Sequence, residues 1–123
     1  MNNSTGPILV IDDERDICEL VQLSLEGLGF EVLVRYSGEE GLELIKQRGS
    51  EVQLILLDLA MPGLSGIDTL ARIRMDLPDV PVIVMSGYVT DKSEAAALGA
   101  SGILQKPFLL NDVEAQVKRI LAG

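Results

Sequence analysis

Polar residues that suit the chemistry of a phosphoryl group follow several short apolar segments of this 123-residue chain. Carboxylates can hold a divalent cation or attack phosphorus, a hydroxyl can hydrogen-bond phosphoryl oxygens, and an ammonium can balance their charge. The carboxyl ends of parallel strands lie along one edge of a sheet, where such sheets bind ligands. We therefore expect one site from these residues, which are Asp12 and Asp13, Asp58, Ser86 and Lys106.

The apolar segments before these residues have the composition of strands that are covered on both faces. They span 7–11, 54–57, 81–85 and 103–105. A further apolar segment, 30–34, ends without a polar group of chemical interest. Continuous apolar runs without polar alternation are typical of parallel sheets with helices on both sides.

Segments with helical periodicity separate these strands. The first, 17–28, carries an apolar stripe and precedes Gly29, which suits the left-handed residue that ends many helices. Ser37 and Glu40 have the spacing of a capping box, so the second helix begins there. Strands that alternate with helices predict a parallel sheet with right-handed crossovers. Further helices are predicted over 65–75, 91–98 and 111–121, the last with Asn111 and Glu114 at its N-terminus.

The length and composition fit one domain. We expect residues 1–6, which are mostly polar, to be frayed and residues 7–123 to form the domain. Because no basic start precedes an apolar core and no apolar run approaches about 20 residues, we expect a cytoplasmic location and no membrane association. The single cysteine, Cys18, cannot form an internal disulfide. It lies beside the apolar stripe of the first helix, which favours a packed thiol over a nucleophile.

The formal net charge of −9 argues against direct nucleic-acid binding by this chain. Nucleic-acid binding depends on lysine and arginine side chains that neutralise phosphates. A basic or mixed-charge protein partner is compatible with this charge.

The carboxylates of Asp12, Asp13 and Asp58 predict a site for a hard divalent cation. Asp12 and Asp13 also suit the start of the next helix, one as a cap and the other in the first turn. That structural interpretation is weakened by Asp58, because carboxylates at neighbouring strand ends repel one another unless a cation or protonation relieves them. The chain has no histidine and one cysteine, which disfavours zinc. Magnesium, held by carboxylates, water and phosphate oxygens, fits better.

Asp58 is the candidate nucleophile. A carboxylate beside a metal-bound phosphoryl donor can attack phosphorus and become an acyl phosphate. Ser86 could then hydrogen-bond the phosphoryl oxygens, and Lys106 could balance their charge. Taken alone, Asp58 and Ser86 also fit ordinary turn positions. Lys106 alone fits a solvated lysine before Pro107. Their combination favours the chemical interpretation.

The motifs are the Asp12-Asp13 pair and the stretches 58–66, 85–87 and 106–108. In this order they resemble the response-regulator receiver domain of two-component signalling, from about Ile8 to the last helix. The resemblance implies a CheY-like, flavodoxin-like α/β fold with three α/β/α layers. Its doubly wound, five-stranded parallel sheet would have the order 2-1-3-4-5.

The resemblance also implies a phosphoacceptor domain rather than an enzyme. A sensor histidine kinase or a phosphotransfer protein would donate a phosphoryl group to Asp58, with Mg²⁺ as the required ion. By position, Asp13, Asp58 and the backbone carbonyl of Ala60 would bind Mg²⁺ directly, and Asp12 would act through a water. Lys106 would contact the phosphoryl group, and its peptide bond to the next residue is expected to be cis.

Ser86 takes the position of the switch hydroxyl in the same resemblance. Its movement toward the phosphoryl group would change the face formed by the fourth helix, fifth strand and fifth helix, which would control a partner or output domain. This chain has Ile103 where the family often has an aromatic residue. Tyr88 is the nearest aromatic residue in sequence and fits either the site mouth or the surface.

Other functional classes remain open at the sequence level. An aspartyl-nucleophile phosphatase would want an acid two residues after Asp58, and residue 60 is alanine. A flavin- or nucleotide-binding module would want a phosphate-cradling loop where the chain has acidic residues. A receiver without phosphorylation is disfavoured because the acidic set, hydroxyl and lysine are all present. The sequence leaves open a free-standing regulator, a phosphorelay intermediate or part of a larger protein.

Overall fold

The structure is a computed structural model that describes residues 6–61, 63, 65–87 and 91–122, without the side chains of Asp91, Lys92 and Glu94. Within these residues the chain forms a five-stranded parallel sheet in the order β2-β1-β3-β4-β5. The predicted order is confirmed. The strands are β1 (Ile8–Ile11), β2 (Val32–Arg35), β3 (Leu54–Asp58), β4 (Val82–Ser86) and β5 (Gly102–Gln105).

Helices follow the strands in regular alternation. A short 3₁₀ turn, Gly49–Glu51, also precedes β3 and was not predicted. The helices are α1 (Arg15–Gly27), α2 (Gly38–Arg48), α3 (Gly66–Asp76), α4 (Asp91–Ala97) and α5 (Leu110–Ala122).

The sheet separates two apolar cores, which confirms the three-layer architecture. Alternate residues of one strand point to opposite faces. In β1, Leu9 packs in the core with α2, α3 and α4, and Val10 packs in the core with α1 and α5. All residues of β1 and β3 are buried, as a sheet with helices on both faces requires. None of the described helices combines the length and apolar character needed to cross a bilayer.

The ends of α1 and α2 match their predicted signals. Gly29 has φ +97°, and its N–H donates to Glu26 O. The next N–H, from Phe30, donates to Leu25 O and completes a Schellman motif. At α2, Glu40 N–H donates to Ser37 Oγ over 3.1 Å. The same hydrogen bond explains why β2 begins at Val32 and not at residue 30, because the N–H of Phe30 is used at the end of α1.

The predicted start of α5 is wrong by one residue. The helix begins at Leu110, so Asn111 lies inside it and is not the cap. The N–H of Leu109 instead donates to Asp112 Oδ2 over 3.3 Å. Glu114, the other half of the predicted pair, accepts a hydrogen bond from Ser24 of α1. The sequence spacing pointed to Glu114 as the acid at the start of α5. It could not show that Glu114 contacts α1 instead.

Candidate functional site

The described carboxyl ends of β1, β3 and β5 bring three of the predicted side chains into direct contact. Lys106 Nζ lies 3.0 Å from Asp12 Oδ2 and 3.2 Å from Asp58 Oδ2. The side chains of Asp12 and Asp58 are 0% and 1% exposed, and that of Lys106 is 15% exposed. The structure therefore places one ammonium between two buried carboxylates.

Backbone hydrogen bonds that continue beyond the strands hold these residues in place. Asp12 N–H donates to Arg35 O over 3.1 Å, and Lys106 N–H donates to Ser86 O over 2.8 Å. The residue after Asp58 is fixed to β4 in the same way, because Leu59 N–H donates to Met85 O over 2.9 Å. The site thus rests on the sheet and not on free loops.

Close packing of α3 also fixes the chain beyond Asp58. A Cβ on Gly66 would lie 2.2 Å from Leu59 Cα and 2.7 Å from Asp58 O. Glycine is required here because any side chain would collide with the backbone of the site. The Asp58 side chain itself is held by Ala60, whose N–H donates to Asp58 Oδ1 over 3.0 Å.

The surroundings of Lys106 keep its side chain charged. Burial lowers the pKa of Lys106, but the hydrogen bonds to Glu14 and Asp12 and the charges of Asp12 and Asp58 outweigh it, so the pKa is raised. Lys106 thus stays an ammonium at neutral pH and offsets the negative charge of the buried carboxylates.

Asp12 is a carboxylate of this set that is difficult to ionise. Burial raises its pKa from 3.8 to about 6. The backbone N–H of Glu14 lowers it, the charge of Asp58 raises it, and Lys106 lowers it. Glu14 N–H donates to Asp12 Oδ1 over 2.9 Å, so this contact also replaces the predicted helix cap: Glu14, not either aspartate, is the N-cap of α1.

Glu14 is the site residue that the sequence analysis missed. Its Oε1 lies 2.6 Å from Lys106 Nζ. One carboxylate oxygen each of Asp12, Glu14 and Asp58 lie within 4.8 Å of one another, a grouping that could hold a metal ion. Asp13 is exposed and is not in that group. The available signal was an acid two residues after Asp12, at the strand-to-helix junction.

An all-oxygen donor set at one sheet edge fits a hard divalent cation. The ammonium of Lys106 already lies where the carboxylates concentrate negative charge. The arrangement can therefore neutralise a bound cation and an incoming phosphoryl group together.

The other predicted residues are located as follows. Ser86 is fully buried at the end of β4, opposite Gln105 in the β4–β5 register. Ile103 lies in β5 and packs against the core with α2, α3 and α4. The Lys106–Pro107 peptide is cis, as predicted. Tyr88 lies outside the described residues.

Cys18 is a packed thiol, as predicted. Its Sγ donates to the backbone carbonyl of Asp12 over 3.2 Å. Burial, followed by the charge of Asp12, raises the pKa of the thiol to about 12. Such a thiol remains protonated and unreactive at neutral pH.

The sequence that forms this sheet, with its cluster of acids and a lysine at the carboxyl edge, matches a known protein family. The family model described as the response regulator receiver domain matches residues 8–118. The chain therefore belongs to the response regulator receiver domain family and is a receiver domain of two-component signalling.

Curated relatives agree with this assignment. The chain is 37% identical to Regulatory protein VanR of Enterococcus faecium, over 91% of this chain and 50% of that protein. It is also 37% identical to Transcriptional regulatory protein CpxR of Escherichia coli strain K12, over 93% of this chain and 48% of that protein. The chain thus spans about half the length of these relatives.

Solved structures show the same fold. A CheY-like receiver domain protein from Methanospirillum hungatei superposes with a TM-score of 0.89 and 26% identity, over 97% of this chain and 95% of that one. The response regulator TrrA from Thermotoga maritima, in complex with Mg²⁺-BeF, superposes with a TM-score of 0.82 and 31% identity. That match covers 94% of this chain and 98% of TrrA.

We predict that Asp12→Asn stabilises the metal-free protein, and that the gain depends on pH. The pKa of Asp12 in the folded protein, about 6, exceeds its ordinary value of 3.8. Ionisation of this group therefore costs stability as the pH rises from about 4 to about 6. At about pH 7.5 the variant should be more stable by about 1 to 3 kcal/mol, and near pH 4 the difference should vanish.

Urea unfolding in the presence of a chelator, at both pH values, measures this difference. Asp13→Asn is the matched control, because the Asp13 side chain is exposed and its removal should change stability by less than about 0.5 kcal/mol. An Asp12→Asn protein less stable than the parent near neutral pH would contradict the analysis.

Proposed function

We propose that this receiver domain accepts a phosphoryl group on Asp58 from a histidine of a sensor kinase or a phosphotransfer protein. The observation that carries the proposal is the contact of the buried Asp58 Oδ2 with the Lys106 ammonium at 3.2 Å. Asp58 lies at the end of β3, on the edge of the sheet where parallel α/β sheets bind ligands, and the ammonium lies beside it. The other two acids that touch Lys106, Asp12 and Glu14, surround the same point.

In the proposed step, an oxygen of the Asp58 carboxylate attacks phosphorus. The P–N bond to the donor imidazole breaks as the new P–O bond forms, and its electron pair returns to the ring. Lys106 remains protonated throughout and balances the charge on the phosphoryl oxygens. The protein assists its own phosphorylation and dephosphorylation without turning over a separate substrate, so we propose that it is not an enzyme.

Magnesium is the ion in this proposal. Bound Mg²⁺ would neutralise charge that builds up on the phosphoryl oxygens. Asp13, Asp58 and the Ala60 carbonyl would hold it directly, with Asp12 acting through a water. The oxygen-only group of Asp12, Glu14 and Asp58 supports magnesium as the ion. The TrrA structure supports it too, since that receiver is in complex with Mg²⁺-BeF.

A groove next to Lys106 supports the proposal that the phosphoryl donor is a protein. It has a volume of about 500 Å³ and opens beside the ammonium. Leu20 on α1 lines it and is 54% exposed. Its lining is mainly apolar and comprises Glu14, Ile17, Leu20, Val21, Lys106, Pro107, Phe108 and Leu110.

The wider setting belongs to the same proposal. Residues 7–123 would form the receiver unit, with residues 1–6 frayed, in the cytoplasm and away from the membrane. The domain would control a downstream protein or an output domain, since VanR and CpxR are named as regulatory proteins and are about twice as long as the matched region. The net charge of −9 supports the absence of direct nucleic-acid binding by this domain itself.

Phosphorylation would be reported through β4 and β5. Ser86 and Lys106 are linked by the Lys106 N–H to Ser86 O bond, so a movement of either strand end reaches the other. In β5, Ile103 O accepts a hydrogen bond from Gln116 Nε2 of α5 over 2.9 Å. These bonds support a switch that changes the α4-β5-α5 face without an aromatic residue at position 103.

We expect a small donor such as phosphoramidate, with Mg²⁺, to add one phosphoryl group to the protein at Asp58. Asp58→Asn should abolish the modification because the amide cannot attack phosphorus. The matched control is Asp76→Asn, an exposed aspartate at the end of α3, which should be modified like the parent. Intact-mass measurement and peptide mapping provide the readout. A phosphoryl group mapped to another residue would refute the assignment.

We expect fluoroberyllate with Mg²⁺, a stable phosphoryl mimic, to shift the amide resonances of Ile103 to Lys106 and of α4. Ser86→Ala should shrink these shifts and leave phosphorylation of Asp58 largely intact, since the hydroxyl senses the group and is not the nucleophile. Ser101→Ala, an exposed serine before β5, is the control. Shifts confined to the loops after Asp12 and Asp58 would show that the proposed switch does not operate.

A further inference from the structure

Lys106 has a third partner whose position differs from the other two. Its shortest contact is with Glu14 Oε1 at 2.6 Å, against 3.0 Å to Asp12 and 3.2 Å to Asp58. The Glu14 side chain is 55% exposed, whereas the two aspartates are buried. Lys106 therefore binds one carboxylate at the surface and two inside the site.

The backbone directs Glu14 toward this contact. Glu14 is the N-cap of α1 in an extended conformation, and its side chain makes no cap hydrogen bond. Its N–H is fixed by Asp12 Oδ1 over 2.9 Å. The Glu14 carboxylate thus makes no capping hydrogen bond to α1. It accepts a hydrogen bond from the ammonium of Lys106, 92 positions later in the chain.

A divalent cation and Lys106 would use the same two carboxylates, since the cation would bind Asp58 directly and Asp12 through a water. The ammonium lies on Asp12 Oδ2 and Asp58 Oδ2, and both residues are in the proposed cation site. Positive charges repel at such short range, so cation binding has to weaken these two contacts. The contact with Glu14 lies on the outer side of the cluster and can persist.

We propose that Glu14 is a positioning residue that holds the Lys106 ammonium while the cation occupies the inner carboxylates. This inference rests on the proposed function, because it assigns Glu14 a role at the same site. In the metal-free protein Glu14 shares the ammonium with Asp12 and Asp58, whereas in the cation-bound protein it would be the remaining carboxylate partner of this lysine. The Glu14 contact would therefore contribute more in the cation-bound state, and this difference lowers the free-energy cost of moving the ammonium off Asp12 and Asp58. The lysine then remains beside the site for the incoming phosphoryl group.

The test compares the Mg²⁺ affinity of the parent protein and of Glu14→Gln, measured by amide shifts and by calorimetry. Glutamine keeps the shape of the side chain and removes its charge. We expect affinity to fall about three- to tenfold, the effect of losing one charged hydrogen bond. Asp16→Asn removes the same charge two residues away, and Asp16 forms no ion pair with Lys106 among the described residues. The Mg²⁺ affinity of Asp16→Asn should differ from that of the parent by less than about twofold.

A double-mutant cycle then separates a positioning role from direct metal binding. In a Lys106→Met background no ammonium competes for the inner carboxylates, so adding Glu14→Gln should change Mg²⁺ affinity less than about twofold. An equal fall in both backgrounds would show that Glu14 acts on the ion itself and would overturn the proposal. Unchanged or increased affinity of Glu14→Gln in the parent background would overturn it as well.

The parent protein distinguishes failure of this inference from failure of the proposed function. If the parent does not bind Mg²⁺ or is not phosphorylated on Asp58, the proposed function fails. If the parent does both and the cycle shows no coupling between Glu14 and Lys106, only the positioning role is wrong. Amide spectra of each variant verify that it is folded before titration.

Discussion

Buried negative charge at the carboxyl edge of the sheet is the constraint on which the site depends. Asp12 and Asp58 are almost completely buried, and an uncompensated buried carboxylate costs several kcal/mol. The protein offsets this cost with one ammonium, which comes from a residue 94 positions after Asp12. The same charge that makes Asp12 difficult to ionise makes the site attractive to a cation. Stability and function are therefore opposed at this edge.

The order of the strands makes this compensation possible. Placing β1 beside β3, and β4 between β3 and β5, aligns the ends that carry the acids, the hydroxyl and the lysine. Hydrogen bonds beyond the strands, such as Lys106 N–H to Ser86 O, extend the sheet into the site. Close packing at Gly66 prevents the chain after Asp58 from moving away. These contacts connect each strand end at the site to its neighbours.

The sequence predicts the fold well because its signals are local or repeat along the chain. Continuous apolar runs defined the strands, and Ser37 and Gly29 marked helix ends that the structure confirms. Asn111 was misassigned because the start of α5 depends on Asp112. Strand-end position identified Asp12, Asp58 and Lys106, but spacing carried no information on which exposed acid would reach the lysine. Glu14 therefore emerged only from the three-dimensional contacts.

The central claim is that Lys106 is an ammonium held among buried carboxylates. Its side-chain ¹⁵N resonance, observed by NMR as a function of pH in the metal-free protein, tests this most directly. The raised pKa predicts that Lys106 loses its proton at a higher pH than an exposed lysine, whose ordinary pKa is about 10.4. Addition of Mg²⁺ should then shift this resonance. A resonance that titrates like an exposed lysine and ignores Mg²⁺ would contradict the account.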